Sequence, residues 1–471
     1  GPHRHACRAP RVMTLPAETD VVVVGGGIAG LAAAGRATEL GASVTIVEKT
    51  DGVGGSTAMS GGWFAFSGTD EQAALGIEDD DASFVADMWA ASAGHADPRL
   101  LDAYVDRQHA AYRWSKDAGV TYDVVKISSG QSVARSHHTP IGAMIAALQD
   151  SALRGAGATL HPRTPMTRLV TDADDRVVAV TVVGDDGRPQ DVRARHGVVL
   201  ATGGFSRSRA LLELFVPAQL AAIPHGGLGS TGDGLNAGRR IGADFRDTGF
   251  VSGTYGSHPE TSDTEHELLT AFYLGAIVVN AAGERFADES RTYKEIGQLC
   301  LQQPGGLGVQ VFDRVVREQS QPGVPLSDID HLAAKGHVLE ASSLGELADL
   351  AGIDAGGLAA TVDRYNAAVE GRSVDEQGRS ALCNGVGDLT TISRPPFYAY
   401  PAKTLMTSTY AGLCVSPDAE VLDLDAEPIG GLYAAGEVVG GFHGSSYVTG
   451  TALAKGLIFG RAAVDTALSP R

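Results

Sequence analysis

The feature that most constrains this chain lies near its start, where the apolar run Asp20-Val21-Val22-Val23-Val24 passes directly into Gly25-x-Gly27-x-x-Gly30 and an alanine-rich stretch from Ile28 to Leu40. Consecutive valines predict a strand buried on both faces, and the alanine-rich stretch predicts the helix after it. Glycines at these three positions permit a tight turn, let backbone amides approach a pyrophosphate, and allow the helix to pack closely. The helix N-terminus, with Ile28 and Ala29 as its first residues, favours the negative charge. A second predicted strand, Ser43 to Val47, ends at Glu48, followed by Lys49. A carboxylate about 20 residues beyond the glycines is placed to bind a ribose hydroxyl. Together these features predict a dinucleotide-binding βαβ unit.

NAD and FAD share that pattern, and the next segment separates them. Gly54-Gly55-Ser56-Thr57 and Ser60-Gly61-Gly62 offer the further amides and hydroxyls that FAD needs for a second approach to its pyrophosphate. No second dinucleotide pattern follows, so direct use of NAD(P)H is not supported.

With 471 residues, 43% hydrophobic and 20% charged, the chain is long enough for two or three packed domains. A formal charge of −19 and the lack of a dense Lys/Arg run argue against a nucleic-acid partner. Cys7, Cys300, Cys383 and Cys414 form no CxxC pair, and no metal site is expected. No apolar stretch approaches a membrane span, so a cytoplasmic location is the expectation. Residues 1–16, beginning Gly1-Pro2-His3, read as a tag remnant and an irregular N-terminus.

Further along, helices are predicted between Glu78 and Gly119 and over Ile141 to Arg154, with a hairpin or meander over Thr167 to Arg193. The run Gly197 to Gly204 reads as another buried strand entering a glycine turn. From about residue 249 to 405 the character changes to glycine-rich loops, with helices over Gln310 to Glu318 and Ser343 to Leu350. Gly431 to Glu437 then resumes the strand-plus-glycine style. The expectation is an α/β fold in which residues 17–248 and 406–471 form a Rossmann-like domain, and residues 249–405 an inserted α+β capping domain.

The order of Gly25-x-Gly27-x-x-Gly30, Glu48, Gly54-Gly55-Ser56-Thr57, Ala201-Thr202-Gly203-Gly204, Thr231-Gly232-Asp233-Gly234 and Ala434-Ala435-Gly436-Glu437 resembles the fumarate reductase and succinate dehydrogenase flavoprotein superfamily, over nearly the whole chain from Asp20. The resemblance implies a split FAD-binding domain of the glutathione-reductase type and a mobile cap, with the flavin between them. It implies that Asp233 and Glu437 contact the ribityl or pyrophosphate region, and that a helix starting near Thr451, through Ala452 and Leu453, aims its amides at the flavin pyrimidine edge. Covalently flavinylated members carry a histidine after the Gly-Gly-Ser-Thr segment, where this chain has Ala58 and Met59, so the resemblance implies noncovalent FAD.

Family members that reduce fumarate clamp two carboxylates with histidines and arginines. Here Tyr293 takes the place of the proton-donating arginine, with Arg291 two residues earlier, Ser408 that of a histidine, and Tyr447 that of a second arginine; Thr254 or His258 falls near the remaining histidine. Ser446-Tyr447-Val448-Thr449-Gly450-Thr451 is similar instead to 3-ketosteroid Δ4-dehydrogenases, as are Gly61-Gly62-Trp63 and the helix through Trp114. That similarity implies Tyr293 and Tyr447 as active-site tyrosines and Thr449 in place of the proton-abstracting serine. Tyr410, Ser408, Arg291 and the Gly450 amide are the further substrate-pocket candidates. A phenol suits the chemistry, since a ketone oxygen gains negative charge as its α-proton leaves.

The leading expectation is an FAD enzyme that desaturates the bond next to a ketone of a bulky apolar molecule, or reduces the enone, with an unidentified electron acceptor or donor. Ser132-Val133-Ala134-Arg135-Ser136-His137 resembles soluble fumarate reductases and keeps open a carboxylated enoate held by Arg135, His137 and Arg291. A flavin electron carrier with a vestigial pocket is the alternative from another class.

Overall fold

In the computed structural model, which describes residues 14–262, 264–383 and 385–470, Glu18–Val24 forms a strand in which Val21, Val22 and Val23 have 0% exposure. Most of the expected N-terminal remnant lies outside the described residues. This strand sits between two parallel partners, Val44–Val47 and Pro189–Leu200, and the parallel run is extended by Ala158–His161 on one side and Pro428–Ala434 on the other. The antiparallel strands Met166–Thr171 and Val177–Val183 form the expected meander into Pro189–Leu200, and Glu420–Leu422 completes an eight-stranded sheet. The C-terminal part of the chain thus adds its strand beside Pro189–Leu200.

A parallel sheet of this kind needs helices over its faces. Ile28–Glu39 and Thr451–Leu468 pack against one another so closely that a Cβ on Gly460 would stand 2.3 Å from the Ala29 carbonyl oxygen. The helix Pro98–Asp117 brings Trp114 over Gly35, where a Cβ would lie 2.4 Å from the indole.

The stretch expected as glycine-rich loops carries most of a second, six-stranded sheet, formed by Val251–Ser257, Ile277–Val279, Leu307–Asp313, Leu339–Ala341 and Phe397–Thr409 with Ile223–Pro224 from the preceding part of the chain. The helix expected over Gln310 to Glu318 is strand in its first half, because Leu307–Asp313 is hydrogen-bonded between Ile277–Val279 and Phe397–Thr409, and helical in its second, over Arg314–Arg317. Phe397–Thr409 runs across the expected 405/406 boundary. Its Pro401 pairs with Val309 on one edge; on the other it falls between the partner strands Leu339–Ala341, which reaches Ala399, and Val251–Ser257, which begins at Lys403. A proline, lacking an amide hydrogen, is tolerated in such a gap. Buried Glu289 anchors the segment leading to Tyr293, accepting from the Val278 amide at 3.0 Å and pairing with the equally buried Arg285. Among the described residues no helix is long and apolar enough to cross a membrane.

Candidate flavin and substrate site

The parallel strands that end near Val24, Val47, Leu200 and Ala434 open onto one cavity of about 1710 Å³, which also reaches the edge of the second sheet at Thr254 and Thr407 to Thr409. Cavities for single small ligands run to roughly 1,000 Å³, so this one has room for a dinucleotide and a second molecule. Its position beyond the carboxyl ends of parallel strands is where nucleotides bind in open α/β sheets.

The two glycine segments interlock at its floor. Gly25 has φ +110°, and a Cβ there would stand 2.2 Å from the Ala201 carbonyl oxygen; one on Gly30 would stand 1.9 Å from the Gly25 carbonyl oxygen. Gly27 differs, because the nearest atom to its Cβ would be Thr57 Oγ1 at 3.7 Å, so its side-chain direction opens into the cavity. The Ile28 amide donates to Thr57 Oγ1 at 3.1 Å, which ties the second segment to the helix start. Glu48 accepts from the Gly26 amide at 2.7 Å and from the Thr50 amide at 2.7 Å, so it braces the turn as well as lining the cavity. Lys49 reaches across to Asp233 at 2.7 Å.

Ile28, Ala29, Gly55, Ser56, Ser60, Gly61, Ala201, Thr202, Gly203 and Glu437 also line the cavity. Thr202 Oγ1 is buried there without a hydrogen-bond partner. The helix Thr451–Leu468 begins after Gly450 at φ 96° with no side-chain cap, so the first amides, at Ala452 and Leu453 in the wall, carry the positive end of the helix. The open space at Gly27, the orphan hydroxyl of Thr202 and the uncapped helix start are the features a pyrophosphate and a flavin ring require, and the residues present fit FAD. Met59 lines the wall next to this segment.

Some candidates act behind the wall. Gly30, Gly54, Gly62 and Thr451 do not line the cavity; a Cβ on Gly62 would meet the Thr139 carbonyl oxygen at 2.2 Å, and Thr451 Oγ1 donates to the Val448 carbonyl at 2.7 Å. Glu437 accepts from the Thr409 amide at 2.9 Å, and burial pushes its carboxyl above the usual range.

Of the residues expected on the substrate side, Tyr293, Tyr447, Thr449, Ser408, Thr254 and Gly450 line the cavity. Tyr293 opens the helix Tyr293–Leu301, fixed by a capping box between Thr292 and Glu295. Thr449 is held through its backbone, its amide donating to the Ser129 carbonyl at 3.1 Å and its carbonyl accepting from Gln131 Nε2 at 2.9 Å. Tyr410 is buried behind Tyr447, with ring centroids 6.4 Å apart, and does not reach the cavity. Burial pushes the phenols of Tyr293 and Tyr447 up, so both keep their protons at neutral pH.

Three placements depart from expectation. Arg291 is 57% exposed, 3.9 Å from Glu295 and 4.0 Å from Asp288, and lies outside the cavity wall, because it precedes the helix cap on the outer surface. Arg135 has 0% exposure and is consumed by Asp79 and Asp87. His137 is buried against Thr69, Nε2 to Oγ1 at 2.8 Å. No arginine lines the cavity among the described residues.

Sequence reasoning missed Lys294, His443 and Lys455, which all line the wall. His443 packs 5.5 Å from the Tyr447 ring, and burial, with Lys455 and Lys294 nearby, holds it well below its usual range as neutral imidazole. Their adjacency to motif positions was the one available signal.

The FAD binding domain family matches residues 20–453. The chain is 33% identical to an NADH:fumarate oxidoreductase of Klebsiella pneumoniae over 94% of its own length, and spans 47% of that protein. A flavocytochrome c3 fumarate reductase structure superposes with TM-score 0.83 at 28% identity, covering 96% of this chain and 78% of that one. A 3-ketosteroid-Δ4-(5α)-dehydrogenase from Rhodococcus jostii superposes with TM-score 0.78 at 26% identity, covering 98% of each.

Proposed function

The chain belongs to the FAD binding domain family, that of the fumarate reductase flavoproteins, and from that premise we propose that it is an FAD-dependent oxidoreductase of the CH–CH bond next to a ketone in a bulky, largely apolar molecule. One observation carries the choice of ketone over dicarboxylate. The substrate end of the cavity presents Tyr293, Tyr447, Thr449 and Ser408 and no arginine among the described residues. Two carboxylates would each need a strong donor pair, whereas a ketone needs donors at one oxygen, where charge develops.

Bound FAD would supply the two-electron chemistry. Gly25, Gly27, the Ile28 amide and Ser56 would hold its pyrophosphate, Glu48 its ribose, and the start of the helix at Ala452 its ring edge. Ala58 and Met59 offer no side chain for a covalent flavin link. Tyr447 donates a hydrogen bond to the ketone oxygen, and Thr449 and Tyr293 carry the α-proton between the substrate and the cavity mouth. The neutral His443 behind Tyr447 keeps the phenol oriented without adding charge.

The test is anaerobic mixing of the flavin-loaded protein with saturated and α,β-unsaturated 3-ketosteroids and other cyclic ketones and, separately, with succinate and fumarate, following flavin absorbance. Bleaching by a saturated ketone with an unsaturated product by mass, or reoxidation of reduced flavin by the enone, is the expected outcome. Turnover of the dicarboxylates alone sinks the reading.

A further inference from the structure

Lys294 is the second residue of the helix Tyr293–Leu301, and the capping box fixes where its side chain leaves the backbone. The side chain runs along the cavity wall and lays its ammonium over the Tyr447 ring, 4.0 Å from the centroid. The nitrogen is sealed from solvent and has no hydrogen-bond acceptor. Among the described residues no carboxylate lies within ion-pair distance of it, and the flanking groups are the phenols of Tyr293 and Tyr447 and the neutral imidazole of His443.

The other lysines of this cavity are accounted for. Lys49 is paired with Asp233, Lys455 donates to the Val439 carbonyl and feels Glu437 and Asp247, and Lys126 is exposed over Trp63. A buried ammonium without a counter-charge is one of the costliest arrangements a protein can keep, and an aromatic face offsets only part of that cost. Burial accordingly lowers the affinity of Lys294 for its proton, and an anion brought next to it would restore it.

We propose that Lys294 is the counter-charge for one anionic oxygen of the substrate, seated against Tyr447. The oxygen is either that of an enolate formed from a ketone or that of a carboxylate the substrate carries. The inference rests on the reading of the Tyr447 side as the substrate end. It also limits the substrate, because one unpaired cation answers one negative charge and leaves a second carboxylate without a partner. The favoured molecule is therefore a neutral ketone or a keto acid with a single carboxylate, and not a dicarboxylate.

The probes are 4-nitrophenol, whose ionised oxygen mimics an enolate and is visible by its own absorbance, and benzoate with its neutral isostere benzamide. Each is titrated into the flavin-loaded protein, with flavin absorbance as the binding signal. In the unaltered protein, 4-nitrophenol should bind as phenolate, or benzoate should bind at least about tenfold more tightly than benzamide. Lys294→Met should weaken the anion by about tenfold to a hundredfold while leaving FAD bound, and Lys294→Arg should restore most of the loss. Dependence on Lys294 for the phenol alone identifies an enolate, and for benzoate alone a carboxylate. Benzoate binding no better than benzamide together with 4-nitrophenol binding only in its neutral form overturns the proposal, without need of any variant. Anion affinity indifferent to Lys294→Met overturns it equally. If either result comes with turnover of ketones, the proposed reaction stands without this role for Lys294; if ketones also fail, both fall.

Discussion

The phenol of Tyr447 gains its place from burial, held between the His443 ring and the ammonium of Lys294. Tyr447→Phe keeps the ring and its packing and removes only the hydroxyl, so FAD should stay bound while the rate of flavin reduction by a ketone falls about 100-fold or more. Unchanged stopped-flow kinetics would remove Tyr447 from the mechanism. A second residue, Lys455, makes a pH prediction. Burial pushes its ammonium down to about 8, with Glu437 and Asp247 opposing the shift, against an ordinary 10.5. Between those values the unfolded chain still binds the proton that the folded chain has released, so this group's contribution to stability rises with pH across that window and is least favourable below about 8. In the flavin-free protein Lys455→Met should therefore raise stability at pH 7, by up to roughly 3 kcal/mol, with the gain shrinking as pH climbs from 8 to 10. Urea unfolding at several pH values checks it, and destabilisation at pH 7 would mean that the attraction to Glu437 outweighs burial. That Tyr293, Tyr447 and Thr449 line the cavity was readable because they fall within motifs. Lys294 was not, because no spacing in the sequence tells that its nitrogen would be covered.

At the scale of elements, the strand–turn–helix at the N-terminus was legible because its glycines answer separate physical demands, and those demands can be tested apart. Gly30→Ala would drive a Cβ to 1.9 Å from the Gly25 carbonyl oxygen, prising the helix Ile28–Glu39 from its strand. A loss of about 3 kcal/mol or more is expected. Gly27 has extended backbone at φ −74°, ψ −176°, and its Cβ would enter the cavity with nothing nearer than 3.7 Å. Gly27→Ala should leave the flavin-free fold within about 0.5 kcal/mol yet abolish flavin retention. Urea midpoints and the flavin-to-protein absorbance ratio separate the two effects, and a Gly27→Ala protein that keeps full FAD would show that this turn is not the phosphate cradle. The first half of the segment Gln310 to Glu318 was misread for a complementary reason. Its Val311 and Phe312 owe their burial to neighbours more than 30 residues away on Ile277–Val279 and more than 80 away on Phe397–Thr409, which local periodicity does not register.

For the whole molecule, the chain's return to the first sheet at Pro428–Ala434 was visible in its glycine style, whereas the edge of the insertion was not, because Phe397–Thr409 belongs to the second sheet along its length and delivers Thr409 to Glu437 at its end. That strand makes the cavity a property of both sheets: the floor comes from Gly25, Glu48 and Ala201, and the opposite wall from Thr254, Tyr293, Lys294 and Ser408. A ligand that binds only the folded protein stabilises it by RT ln(1 + [L]/Kd), about 4 kcal/mol at a thousandfold excess over Kd. FAD added to the flavin-free protein should raise the unfolding midpoint accordingly. It should also slow amide hydrogen exchange in two places that the sequence separates widely, residues 25–30 with 55–57, and residues 407–409 with 451–453. Protection confined to the first pair would mean that the dinucleotide is held by the first sheet alone, with the helix start at Gly450 outside its reach. Protection of both pairs, with Thr254 and Tyr293 unchanged until a ketone is added, would separate the cofactor's share of the cavity from the substrate's.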